Sequence, residues 1–271
     1  MKHKIIEFPT AWEEVKPEEF TYLVNLFFKM IHRRGVELMD VKREWIRFVL
    51  RNRSVKPNNS LQYYKLIHDL LPMLDWLFIE EGNKAGINFT STVNLMPHYG
   101  HLYGPADHGA DLTFGEYRTA VQLMNAYSTE HSDEFIAALA GMLYRKKRNG
   151  TRETFDIEQM TAYERRGRKM PQYVQYSVYL WLASFSKFLM EGTFVVDGSE
   201  VCFGDLFERN GGEPKKNLGM NGILYSMAES GVFGTADDVD RTPLLKVLMK
   251  LMNDKYKLDE LKERMKERKK Q

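Results

Sequence analysis

The run from Pro171 to Glu191 constrains the fold most. Pro171 is suited to open a helix, Gly192 to end it, and the residues between are the most apolar of any helical stretch in the chain. Within it, Gln175, Ser177, Ser184, Ser186 and Lys187 interrupt the segment Tyr173–Met190, so it falls short of an uninterrupted membrane span. A helix of this kind belongs in a protein interior, and other helices must surround it. With 271 residues, the chain is long enough for one large domain or two small ones.

The surrounding pattern is helical too. Pro17 opens a run in which Phe20, Leu23, Val24, Phe27, Phe28 and Ile31 recur at helical spacing before Gly35. Arg43–Arg51 adds a further turn or two, with Trp45, Phe48 and Val49 on one side. Ser60 is placed to cap a helix over Leu61–Glu80, which Pro72 should kink or split. Thr113-Phe114-Gly115-Glu116 has the spacing of a capping box. Ser132 is the cap of the next helix, so the two predict an antiparallel helical hairpin closed by Arg145–Arg148 and Asn149-Gly150. A short polar helix over Phe155–Arg166, another over Leu218–Ser230 and a last one opened by Thr242-Pro243 complete the set. Asp197-Gly198 is a turn dipeptide that suits one small β-hairpin over Thr193–Phe203. Residues 1–16 read as an extended arm, and Gly211-Gly212-Glu213-Pro214 as a loop. The expected fold is therefore mainly α: an irregular multi-helix bundle with a glycine-rich loop segment and at most one small β-hairpin. The organisation expected is an N-terminal region, 1–112, and a C-terminal region, 113–271, which can equally form one continuous domain.

Composition narrows the function. Aromatic residues make up 13% and there are 15 methionines, which favours packed cores and adaptable contact surfaces over chemistry. The net charge of +2 lacks the basic excess of a typical nucleic-acid binder. Cys202 is the only cysteine, which rules out an intrachain disulfide, and Val201 and Phe203 beside it suggest a small buried hydrophobe. The N-terminus has no apolar core or cleavage pattern of a secretory signal, which with the lone cysteine points to a reducing, intracellular compartment.

One segment breaks every helical period. Gly82, Gly86, Pro97, Gly100, Gly104, Pro105 and Gly109 punctuate residues 82–112, with Ile87–Val93 as a possible short strand. So long an irregular stretch in a compact domain usually has a function or makes contacts. It also holds the best chemical candidates, His98, His101, His108 and Asp111, since imidazoles and a carboxylate are ligands for zinc and related metals. A metal-dependent enzyme built on them is one alternative reading. Against it, no helix fixes their geometry and no His-Glu-x-x-His is present, so they read first as polar contact residues.

Other chemistry is not nominated. The chain has no phosphate-binding Gly-x-x-x-x-Gly-Lys-Ser/Thr, no dinucleotide fingerprint and no Gly-x-Ser-x-Gly elbow, and no cofactor is expected. The basic runs Arg145–Arg148 and Arg165–Lys169 support a second alternative, a nucleic-acid-associated factor, but read more simply as a helix end and a solvated turn. From Asp254 to Gln271 the chain carries eight Lys or Arg against five Asp or Glu. Leu258, Leu261 and Met265 recur there with heptad-like spacing over fewer than two heptads. They make either a solvated amphipathic end or a partner-contact helix.

Three stretches, taken together, resemble a known set. Phe8-Pro9-Thr10-Ala11-Trp12-Glu13-Glu14-Val15 precedes Pro17-Glu18-Glu19-Phe20. Asn94-Leu95-Met96-Pro97 leads through Gly104-Pro105-Ala106-Asp107 into Leu112–Tyr117, and the helix pair closes on Leu143-Tyr144-Arg145. Gly222–Glu229 then runs into Gly231-Val232-Phe233-Gly234. This order resembles proteins encoded in tail modules of phages and prophages of Bacteroidetes-type bacteria, beside the tail-tube and tape-measure genes. The sequence after Arg148 and the charged tail depart from it. The resemblance carries no catalytic residues. It implies a chaperone-like tail-assembly or virion structural protein, not an enzyme. Its partners would be other tail proteins, tape measure and tail tube, alongside self-association, with no membrane. Its place would be the bacterial host cytoplasm or the virion.

Overall fold

The computed structural model describes residues 7–32, 35–55, 59–82, 84–196, 198–206 and 219–270. Among them the chain is mainly helical, with ten α-helices and four two-stranded antiparallel hairpins. The mainly α expectation holds. The hairpins exceed the single one expected, because three lie where sequence periodicity is weak.

The helix that constrained the sequence reading, α7 (Gln172–Glu191), is the hub. It packs against α1 (Pro17–His32), α4 (Phe114–Glu130) and α5 (Asp133–Leu143). Eleven of its residues are buried, among them Trp181, whose ring stacks on Phe185 at 5.4 Å. Burying Gln175 would cost free energy if its amide were unpaired. Its Nε2 donates to Gly167 O and Met170 O at 3.1 and 2.8 Å, binding α7 to the turn before it.

The N-terminal arm is held down rather than free. Trp12 lies in a 3-10 turn and packs on Phe20, Trp76 and Phe89, and its Nε1 donates to Asn88 O at 2.9 Å. Ile5 and Ile6 lie outside the described residues. Glu19 of α1 is fully buried and forms a two-point pair with Arg53, Nε to Oε1 at 2.9 Å and Nη2 to Oε2 at 2.8 Å. The same guanidinium reaches back to the carbonyls of Glu7 and Glu14, so one arginine fixes the arm, α1 and the end of α2 (Leu38–Asn52).

Several boundaries differ from the sequence reading. Asn59, not Ser60, caps α3 (Ser60–Leu70), its side chain accepting from Gln62 N at 2.9 Å. Pro72 splits the run, as one of the two expected outcomes: a 3-10 segment, Leu71–Leu77, follows α3 and turns into β1 (Phe78–Glu81), which pairs with β2 (Lys84–Ile87). The strand over Ile87–Val93 therefore stops at its first residue. Arg145–Arg148 is not a helix end. After α5 the chain enters β5 (Lys147–Arg148) and β6 (Thr151–Arg152), with Asn149 and Gly150 both at positive φ, as a type I′ hairpin turn requires. The hairpin expected near Gly198 is present as β7 (Thr193–Val196) and β8 (Ser199–Cys202), and Asp197 lies outside the described residues. Cys202 is half-buried rather than buried. The loop at Gly211–Pro214 also lies outside the described residues.

α6 (Met160–Gly167) crosses α5 at unusually close range. A Cβ on Gly141 would lie 1.8 Å from Tyr163 O, and one on Gly167 1.8 Å from Ala137 O. Glycine on both helices is what lets the backbones touch. α8 (Met220–Glu229) and α9 (Ala236–Arg241) precede α10 (Leu244–Lys270); α9 opens with a capping box of Thr235 and Asp238 that the sequence reading passed over. One buried cluster extends from Phe8 to Met252 and runs across the 112/113 boundary.

Candidate functional site

The glycine-rich segment is irregular but tightly pinned. β3 (His98–Tyr99) and β4 (Leu102–Tyr103) form a minimal hairpin, and Tyr103 exchanges backbone hydrogen bonds with Arg145 at 2.8 and 3.1 Å. Asn94 donates to Pro105 O at 2.8 Å and accepts from Met96 N, while Asp107 accepts from Asn94 N at 2.9 Å. Tyr144 is buried, and its hydroxyl donates to Met96 O. Burial pushes that hydroxyl well above the ordinary tyrosine range, so it stays a donor. Gly109 lies against the Phe185 ring of α7, and Trp181 Nε1 donates to Thr92 O at 3.1 Å. The segment thus serves as a wall on the central helix.

Between this wall and β5–β6 lies a cleft of about 730 Å³, with Glu116, Arg145 and Arg152 on its floor and His98, Tyr103 and Lys147 at its sides. Thr113 caps α4 by accepting from Glu116 N at 3.3 Å, which is half of the capping box. The Glu116 carboxylate is directed elsewhere. Its Oε1 accepts from Arg145 Nη1 at 2.9 Å and from Arg152 Nη1 at 2.6 Å. Arg152 Nε also donates to Asp111 Oδ2 at 3.0 Å. Two guanidinium groups and two carboxylates thus balance in charge. Among the described residues, Glu116 Oε2 and Arg152 Nη2 are buried with no protein partner. Two further bonds tie the ends of the elements: Arg145 Nε donates to Glu153 O at 2.7 Å, and Arg152 Nη1 also donates to Leu143 O at 2.7 Å. Balanced in charge and buried except at Asp111, the cluster acts as a strut that joins α4, α5 and the β5–β6 hairpin.

The metal-ligand candidates are not brought together. His98 is exposed and its ring lies 6.2 Å from that of Tyr103. His101 is exposed at the β3–β4 turn. His108, at positive φ, places Nδ1 2.6 Å from Thr92 Oγ1. Asp111 is engaged by Arg152 through Oδ2 and by Ala106 N through Oδ1. Among the described residues, no three His, Cys, Asp or Glu side chains are placed to hold an ion. Sequence reasoning named Asp111 for the wrong partner and missed Glu116 and Arg152. The Glu at the third helical position was visible, but its pairing with residues 29 and 36 positions on has no local signature.

The basic runs are divided between interior and surface. Arg145 is 2% exposed. Lys147 lies over the Tyr103 ring at 4.3 Å. Arg166 reaches the carbonyls of Gly141 and Tyr144, and Arg168 pairs with Glu164 and Glu134.

The second candidate surface is α10. Leu244, Val247, Leu248 and Met252 are buried against the body, and Lys255 Nζ donates to Asp205 O at 2.7 Å. The helix then runs on to Lys270. There Leu258, Leu261 and Met265 are 56%, 55% and 67% exposed, and Tyr256 is 50% exposed. Among the described residues, no helix is long and apolar enough to cross a membrane.

Comparison of the chain with protein-family models, with curated proteins and with solved structures finds no match.

Proposed function

We propose that this chain is a non-enzymatic phage or prophage tail-assembly protein, chaperone-like or a component of the virion, that acts through protein contacts in the bacterial host cytoplasm. The observation that carries the contact reading is α10, whose apolar stripe continues past the body into solvent at Leu258, Leu261 and Met265. A helix already nucleated by a packed first half can offer such a stripe without the entropic cost of ordering it on binding. The tail module as the setting rests on the sequence resemblance. A protein that holds tape-measure or tail-tube subunits before polymerisation needs an apolar surface of this kind. The engagement of His108 by Thr92 and of Asp111 by Arg152 gives the metal-enzyme alternative no assembled site to build on.

The test is co-expression of the full chain with the tape-measure and tail-tube proteins encoded beside it, followed by co-purification. The expected result is capture of at least one of them, lost in the double variant Leu258→Asp, Leu261→Asp. Failure to retain any neighbouring tail protein would count against the reading.

A further inference from the structure

The charges beside the exposed stripe of α10 identify its partner. Leu244, Leu251, Leu258 and Met265 are spaced seven apart, and Val247, Asp254, Leu261 and Arg268 follow each by three. These are the a and d positions of a heptad, in which Asp254 and Arg268 are the charged d residues. The face buried against the body, Leu244, Val247, Leu248 and Met252, gives way beyond Asp254 to an exposed a/d seam of Leu258, Leu261 and Met265. Beyond Asp254, the positions flanking that seam, e and g, are Lys255, Lys257, Lys262 and Arg264, all basic; Lys255 is engaged by Asp205 O, which leaves Lys257, Lys262 and Arg264 to face a partner. Beyond Asp254 the acids Asp259, Glu260, Glu263 and Glu267 all fall at b, c and f, away from the seam. Lys262 and Arg264 lean on two of them, Asp259 at 3.0 Å and Glu260 at 2.7 Å, but keep 62% and 67% of their side chains exposed.

We infer that the distal half of α10 docks an amphipathic partner helix whose own seam is flanked by Asp and Glu, and that it does not dock a second copy of this chain. Flanking charges choose the partner in such pairings. In a parallel pair of copies, g faces e of the next heptad, setting Lys257 against Lys262. In an antiparallel pair, e faces e and g faces g, which is again lysine and arginine against themselves. Both self-pairings place like charges in contact, whereas an acidic-flanked helix satisfies Lys257, Lys262 and Arg264.

This inference rests on the contact reading above and adds the chemistry of the partner. It is tested with the full chain and two designed peptides about four heptads long, each with apolar a and d positions. One carries Glu at every e and g, the other Lys, so that each repels itself. Binding is read by fluorescence anisotropy at low and high salt, and helix content is checked by circular dichroism. The Glu peptide should bind at least about tenfold more tightly than the Lys peptide, and salt should weaken it. The triple variant Lys257→Glu, Lys262→Glu, Arg264→Glu should reverse the preference. Equal binding of the two peptides, binding of neither, or an unreversed preference overturns the inference. So does a dimer of the lone chain that Leu261→Asp dissolves in sedimentation equilibrium. If the Glu peptide binds as expected but no tail protein co-purifies, the partner chemistry stands and the tail-assembly reading fails. If tail proteins co-purify equally well with the triple variant, the reverse holds.

Discussion

Arg145 Nη1 donates to Glu116 Oε1 at 2.9 Å, with the two side chains 3% and 1% exposed. Arg152 joins the same carboxylate oxygen from β6. Charges taken so far out of water are tolerable only as a balanced group, and removing one member strands the others. Arg145→Ala should therefore lower unfolding free energy by about 3–5 kcal/mol, whereas Lys266→Ala, which breaks the exposed pair with Glu263, should have far less effect. Urea denaturation of both variants checks this. Equal losses would mean that the cluster is not the strut of this region.

The α5–α6 crossing depends on two glycines. A Cβ at Gly141 meets Tyr163 O at 1.8 Å, so Gly141→Ala must push the helices apart and should cost about 1–3 kcal/mol or more. Gly86, with open space around its Cβ position and no positive φ, is the control, and Gly86→Ala should be close to neutral. Thermal midpoints of the two variants separate packing from any general effect of replacing glycine.

Acid should loosen the N-terminal arm first. Burial works to raise the Glu19 carboxyl, but hydrogen bonds from Arg53, Lys16 N and Asn52 overcome it and hold the group below its ordinary value of 4.5. A carboxyl depressed in the folded state contributes stability that is fully present above the unfolded value. That stability is lost as pH falls through the folded one. Tryptophan fluorescence should therefore report an acid transition below pH 4.5 that Glu19→Gln removes, together with lower stability at pH 7. An acid midpoint unchanged in the variant would contradict this assignment.

The histidines of the glycine-rich segment make weak demands on the fold. His101 is exposed in its turn, so His101→Ala should leave the unfolding free energy within about 0.5 kcal/mol of the parent in urea denaturation. The metal content of untagged protein should be unchanged as well. A stoichiometric ion that disappears in the variant would restore the metal-enzyme alternative.

What could be read from the sequence follows the range of the interactions. The apolar run of α7, the Thr113 and Ser132 caps, and the Gly198 turn are local signals, and each is found where periodicity and turn chemistry place it. Pro72 was visible, but whether it kinks or ends a helix depends on whether Phe78 finds a strand partner, and that partner is Ile87 across a turn. Arg145 looked like a cap for a helix end because basic residues suit that position. Its burial is decided by Glu116 and by backbone pairing with Tyr103, both distant in sequence. The exposed seam of α10 was legible as a spacing. Whether it faced the body or solvent was not, since Leu251 and Leu258 share one heptad position and only the body's extent distinguishes them.

The most direct measurement is hydrogen exchange along α10 in the lone chain and in the chain co-expressed with its neighbouring tail proteins. Alone, residues 244–252 should be protected by the body, and residues 256–268, helical but exposed almost throughout and free to fray, should exchange faster than they do. In the complex the second stretch should become protected while the first stays unchanged. Protection that appears only elsewhere, or none at all in a complex that does form, would contradict the claim that this helix is the working surface of the protein.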